Sequence, residues 1–254
     1  MRQITAIPLT TLVIVLFILT PVIKAQQSGN TNPSQKMEQQ VGLSTRDELL
    51  EGARQRFVNH IDTVIAYLER INGVITESDY LPESDKSVAQ TEIADLVVAF
   101  ESISVDVADA ETREGFKSVA LDVRTLWGKA HDINAKYIGL HVTYRFQLYA
   151  QRMDTVAQRV QLYLNEQSAR GIGVSEPQLL VNEYAMSIER ANSVINEAKS
   201  LGSGIAIGSG NAKEKAELAQ TRLRNAKQEL HQAGQLLHNA LLLMQQNYNV
   251  QQGQ

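Results

Sequence analysis

Five histidines, His60, His131, His141, His231 and His238, are the first residues to test for chemistry. Helical proteins assemble metal centres from a Glu and a His one turn apart. The residues three before these histidines are Phe57, Gly128, Ile138, Gln228 and Gln235, so no Glu-x-x-His exists. The residues four after them are Val64, Ala135, Arg145, Gln235 and Leu242, so the two-histidine helix of zinc proteases is missing too. His231 and His238 share a helix face, but the sequence offers no third ligand beside them. The chain has no cysteine and no G-x-S-x-G. Gly202, Gly204 and Gly208 miss the dinucleotide spacing by one residue, and no Gly-Lys-Ser/Thr follows them. These residues predict a chain that is not an enzyme, with no cofactor and no metal. The Gly202–Gly210 segment reads as a flexible hairpin linker. Its apolar Ile205 and Ile207 are expected either to dock on the helices or to touch a partner.

A second pattern concerns binding. Arg145, Arg152 and Arg159 stand seven apart and stack on one helix face. Tyr149 and Tyr163 lie four residues after the first and last of them. Such a strip suits an anionic polymer or an acidic partner. The expected use is closer to home, in pairs with Glu183, Glu189 or Glu197 on the next helix, because charges flanking a seam serve neighbouring helices. Leu242 and Leu243, beside Leu241, make an apolar run too broad for one seam. Either helices flank it on two sides, or it meets another molecule. The expected partner is therefore a protein or a second copy of the chain.

The elements that carry these residues follow from spacing. Between Pro82 and Pro177 there is no proline, and the apolar pattern keeps helical time. Thr45 with Glu48 forms a capping box. After it Phe57, Ile61, Val64, Leu68, Ile71 and Ile75 alternate steps of four and three, the rhythm of a coiled-coil seam. Residues 76–83 read as a turn. A second helix over about 84–107 repeats the rhythm with Ala89, Ile93, Leu96, Phe100, Ile103 and Val107. A third, over about 112–170, carries Val119, Val123, Leu126, Ala130, Ile133, Tyr137, Leu140 and Tyr144. It then continues out of phase as Tyr149, Met153, Val156, Val160 and Tyr163, a stutter. Trp127 sits at a seam phase and is expected to pack in the core. Gly128 and Gly139 are the places where this helix would break. Gly171-Ile-Gly173 ends it, and Ser175 caps a fourth helix with Pro177 in its first turn. A fifth helix starts near Asn211.

This predicts an all-α fold, an elongated bundle. Two three-helix, antiparallel coiled-coil-like bundles, 44–140 and 141–248, share the long central helix, and a tail follows at 249–254. The alternative folds the third helix back at Gly128–Gly139 into a shorter bundle of six helices. Residues 76–114 hold 11 acids and two bases, and residues 115–175 hold eight bases and four acids. Opposite charge is expected to help choose the helix pairing.

The N-terminus reads as an address. Residues 12–19 are an unbroken apolar core, Pro21 breaks it, and Ile23 and Ala25 stand at cleavage-site spacing, so residues 1–25 are expected to be a signal peptide. The alternative is an uncleaved membrane anchor. Residues 26–43 are Gln-, Asn- and Ser-rich and read as a flexible leader. From residue 26 onward, 22 basic and 28 acidic residues give a formal charge of −6, which offers nucleic acid no electrostatic footing. The expected place is the periplasm, the cell surface or the medium.

Arg152-Met-Asp-Thr-Val-Ala-Gln-Arg159, running into Gly171-Ile-Gly-Val-Ser175 and followed by Ala185, Ala191 and Ala198, resembles a diffuse group of exported long-helix proteins of archaea and uncultivated bacteria. The resemblance covers about Tyr144 to Ser200. Those proteins carry no assigned activity. The resemblance implies a secreted helical hairpin and nothing catalytic. The long seams, the flexible tails and the missing catalytic cluster themselves predict a non-enzymatic exported scaffold, spacer or protein-binding protein; the alternative is a chaperone-like adaptor for client proteins.

Overall fold

The computed structural model describes residues 33–252, with side chains placed for residues 48–250. The expected signal peptide lies outside them. Five helices make up the described residues: α1 (Pro33–Thr76), α2 (Glu83–Asp109), α3 (Arg113–Ala169), α4 (Ser175–Ser203) and α5 (Ala212–Gln252). The fold is all-α. The chain divides into two units, Met1–Glu48 and Leu49–Gln254. In the first, α1 begins at Pro33, earlier than the expected capping box at Thr45 and inside the expected leader. Proline suits a first helical position, and the Gln, Lys, Met and Glu after it are good helix formers. At the other end, α5 runs through most of the expected tail.

Within Leu49–Gln254, α3 is one 57-residue helix, about 85 Å long at 1.5 Å per residue. Thr112 caps it by accepting a hydrogen bond from the Gly115 amide at 3.0 Å. Its C-terminus closes on Gly171, at φ 79°, with Ile172 N donating to Gln167 O at 3.1 Å and Gly171 N to Ser168 O at 3.0 Å. That is the Schellman arrangement, and it needs a residue free of Cβ strain at Gly171. α3 does not end at Gly128 or Gly139. Ser175 is the first residue of α4 rather than its cap, and Val174 before it offers no side-chain bond. The α4 backbone closes instead through Gln178 N to Val174 O at 2.9 Å.

Three apolar clusters form the core. The first joins α1 (Ile61, Val64, Leu68, Ile71, Ile75), α2 (Ala89 to Val107) and α3 (Val123 to Leu140), with Trp127 partly buried against it. The six α2 residues expected to face inward are the six buried on α2. The second cluster joins α3 (Ala150, Met153, Ala157) to α4 and α5, and the third joins Val160 and Leu164 of α3 to Val181, Ala240 and Met244.

The second half of α3 turns a different face inward from the one its large residues suggest. Tyr149, Val156 and Tyr163 are exposed, while Ala150, Met153, Ala157, Val160 and Leu164 are buried. The expected stutter between Tyr144 and Tyr149 is replaced by a shift in the opposite sense. Tyr137, Leu140 and Thr143 are buried at steps of three, and Ala150 and Met153 resume the stripe. The cause is alanine. On α5, Ala212, Ala219, Ala226, Ala233 and Ala240 stand at every seventh residue, and all are buried. Ala191 and Ala198 do the same on α4. Side chains this small bring helices close, and the matching small residues of α3 then face the junction. Leu241, part of the broad apolar run, remains exposed, off this alanine line.

Candidate functional site

The polar side chains of Leu49–Gln254 gather chiefly where α2, the turn before it and the middle of α3 meet. Tyr137 donates its hydroxyl to Glu92 at 2.5 Å, and Tyr144 donates to Asp85 at 2.9 Å. Both pairs are one heptad apart, and they run in opposite chain directions, as an antiparallel hairpin requires. Lys136 Nζ lies 3.0 Å and 3.1 Å from the two Glu92 oxygens. Lys199 of α4 sits 4.5 Å from the Tyr144 ring centre, so α4 contributes to the same cluster. The expected charge matching between α2 and α3 thus rests on Lys136–Glu92 and on two tyrosine hydroxyls. Burial, then the Glu92 hydrogen bond and charge, push the Tyr137 hydroxyl far above its ordinary range. Burial, then the Asp85 hydrogen bond and charge, push Tyr144 up to about 12. Both phenols therefore stay protonated donors at neutral pH.

His141 completes the cluster. Ser78 is 3% exposed, and its Oγ accepts from the amides of Tyr80 and Leu81 at 3.2 Å each. With both lone pairs used, the Ser78 hydroxyl donates to His141 Nδ1 at 3.0 Å. A Ser78 hydroxyl that donates to Nδ1 holds the ring proton on Nε2. Tyr80 packs its ring at 78° to it, with centroids 5.6 Å apart, and Arg145 stacks 5.6 Å from the centre of Tyr80. Burial, then the nearby Arg145 charge, hold His141 below the usual histidine range. A folded state that prefers neutral His141 keeps that contribution above about pH 6.5 and loses it as the pH falls. Lowering the pH from about 7.5 to about 5.5 is expected to lower the urea midpoint. The drop should be smaller in His141→Phe, and an equal drop in both proteins would remove His141 from the account.

This cluster fixes register rather than presenting reactive groups, because each of its members is already partnered. Sequence reasoning had Tyr137 and Tyr144 in the seam but missed Ser78, Tyr80, Asp85, Glu92 and His141 as a set. The seven-residue spacing shared by the two acids and the two tyrosines was the available signal.

The residues expected to bind a partner separate into two kinds. Ile205 is buried at 3% exposed, and Ile207 packs against the first core cluster. Both dock the α4–α5 loop inward, Ile205 fully and Ile207 in part. The loop is fastened as well: Gly208 N donates to Asp132 Oδ2 at 2.7 Å, and Lys215 Nζ bonds Gly204 O. Leu242 is exposed and Leu243 half-buried.

The arginine strip departs from expectation. Arg152 and Arg159 are exposed and form no ion pair among the described residues. Glu197 pairs instead with Arg222 at 2.9 Å, and Arg190 with Glu229 at 2.9 Å. Of the three α4 acids expected to meet the strip, Glu197 is tied to α5, and Glu183 and Glu189 are exposed without an ion pair among the described residues. Tyr149 is 54% and Tyr163 43% exposed beside the free arginines. An open groove between α4 and α5, lined by Ser193, Asn196, Ser200 and Leu218, is crossed by the Glu197–Arg222 pair. Among the described residues no group of three or more His, Asp or Glu could hold a metal ion, and no helix is long and apolar enough to cross a membrane.

Fold and site together define an all-α helical protein whose polar cluster locks helices and whose free charges face outward. No protein-family model, curated protein or solved structure matches the chain.

Proposed function

We propose that the chain is an exported, non-enzymatic helical scaffold, spacer or protein-binding protein of the cell envelope or extracellular space. In this reading two three-helix bundles share α3, and residues 1–25 direct export. The observation that carries it is the continuity of α3, which supplies buried side chains to all three core clusters. A helix anchored along its length holds what it carries at fixed separation, the property a spacer needs. The likeness to exported long-helix proteins fits the same role. A second reading, a chaperone-like adaptor for client proteins, is favoured by the apolar residues left exposed along the end of α5: Leu241, Leu242 and Val250.

The chain has no native cysteine, so two can be introduced cleanly. Spin labels at Leu121→Cys and Leu162→Cys, both exposed positions on α3, are expected to give one narrow distance near roughly 60 Å. A broad or much shorter distribution would end the spacer reading. Mass spectrometry of the chain recovered from cells tests export; a product that keeps residues 1–25 would be an anchored protein instead.

A further inference from the structure

Two exposed strips in Leu49–Gln254 carry the pattern of a coiled-coil seam without a partner helix. On α3, Tyr149, Val156 and Tyr163 repeat at seven residues and are 54%, 40% and 43% exposed. Arg152 and Arg159 repeat at seven beside them. At 100° per residue all five fall on one narrow face. On α2, Val98 and Val105 repeat at seven and are 63% and 59% exposed. Asp95 and Asp106, exposed and without an ion pair among the described residues, flank them. One strip is apolar and cationic, the other apolar and anionic. Singly exposed apolar residues are ordinary, but rows of them on one helix face beside charges of one sign suit an interface.

We infer that the occupant of the α3 strip is a second copy of this chain, through the Asp95–Asp106 strip of its α2. Each copy offers both strips, so a two-fold pair makes the contact twice. The apolar residues supply the driving force, and the arginine–aspartate pairs set register and partner choice. Arg145 is held over Tyr80, and Glu92 and Asp85 are taken by Lys136 and the two tyrosines, so none of these three is offered at the contact. This inference rests on the protein-binding form of the proposed function and names its partner.

Sedimentation equilibrium of the full-length chain, from about 1 to about 100 μM, is expected to show a monomer–dimer equilibrium. Raising salt from about 0.05 to about 0.5 M should weaken it, because exposed pairs are screened. The double variant Arg152→Glu/Arg159→Glu should raise the dissociation constant about tenfold or more, with an unchanged circular dichroism spectrum. So should Asp95→Lys/Asp106→Lys. Mixing the two variants should restore association, since in the mixed pair both contacts join opposite charges, glutamate with lysine in one and arginine with aspartate in the other. A monomer at every concentration overturns the inference. So does a dimer untouched by either variant, which would place the contact elsewhere, and so does a mixture that fails to associate. None of these outcomes bears on the rigidity of α3, so the spacer reading stands or falls separately on the spin-label distance.

Discussion

Phe100→Ala is expected to lower stability by about 3–5 kcal/mol. Phe100 is fully buried, and it sits where α2 meets α1 and α3 in the first cluster. Truncation removes the transfer free energy of the ring and leaves a void that three helices cannot close together. Compensation is limited because Ile93, Leu96 and Ile103 on the same helix are already buried in fixed seam positions. The loss is a large part of what a domain of ordinary stability has. Trp127, the single tryptophan, packs against this cluster and reports it directly. Urea unfolding followed by Trp127 emission should shift to a much lower midpoint. A change below about 1 kcal/mol would mean that the first cluster is not packed as described.

Ala233→Leu is expected to act through the opposite failure, overpacking. Ala233 has no exposed surface, within the second cluster formed by α3, α4 and α5. Three added carbons must displace a neighbour or push two helices apart, at a cost of about 1–3 kcal/mol or more. Because the alanines of α5 repeat every seven residues, spreading the helices at Ala233 also loosens the contacts at Ala226 and Ala240. The reverse change at an exposed site outside that line, Leu218→Ala, should be close to neutral. Thermal unfolding of the two variants side by side decides the matter. Equal behaviour would count against a tight alanine seam.

These two variants also mark how far the fold could be read from residue types. On α2, where the core is made of large side chains, the buried face is the predicted one, residue for residue. Ile61 to Ile75 on α1 were equally plain. Reading by size failed on α3 after Tyr144, where Ala150 and Ala157 are inside and Tyr149 and Tyr163 are outside. Hydrophobicity ranks tyrosine and valine above alanine as core residues. Helix separation reverses that order when the facing helices also present alanine, and separation is a property of three chain segments at once. The loop residues Ile205 and Ile207 show a similar limit. Their apolar character was visible, but which surface they covered depended on Asp132, more than seventy residues away. The polar cluster was missed because its members are distant in sequence and ordinary one by one. The free arginines were placed correctly on one face and assigned the wrong neighbours, since Glu197 prefers Arg222.

The alanine line of α5 has one more consequence. Five identical residues at equal intervals specify which side of a helix faces inward, yet they carry no information about where along the axis it stops. Sliding α5 by one repeat, about 10 Å, would present alanine to the same neighbours again. Uniqueness must come from residues that do not repeat. Asn247 donates to Gly173 O at 2.7 Å at one end, Lys215 reaches Gly204 O at the other, and the Arg190–Glu229 and Arg222–Glu197 pairs lie between. The helix behaves as an evenly ruled scale, and these few polar contacts are the index marks that give it a zero.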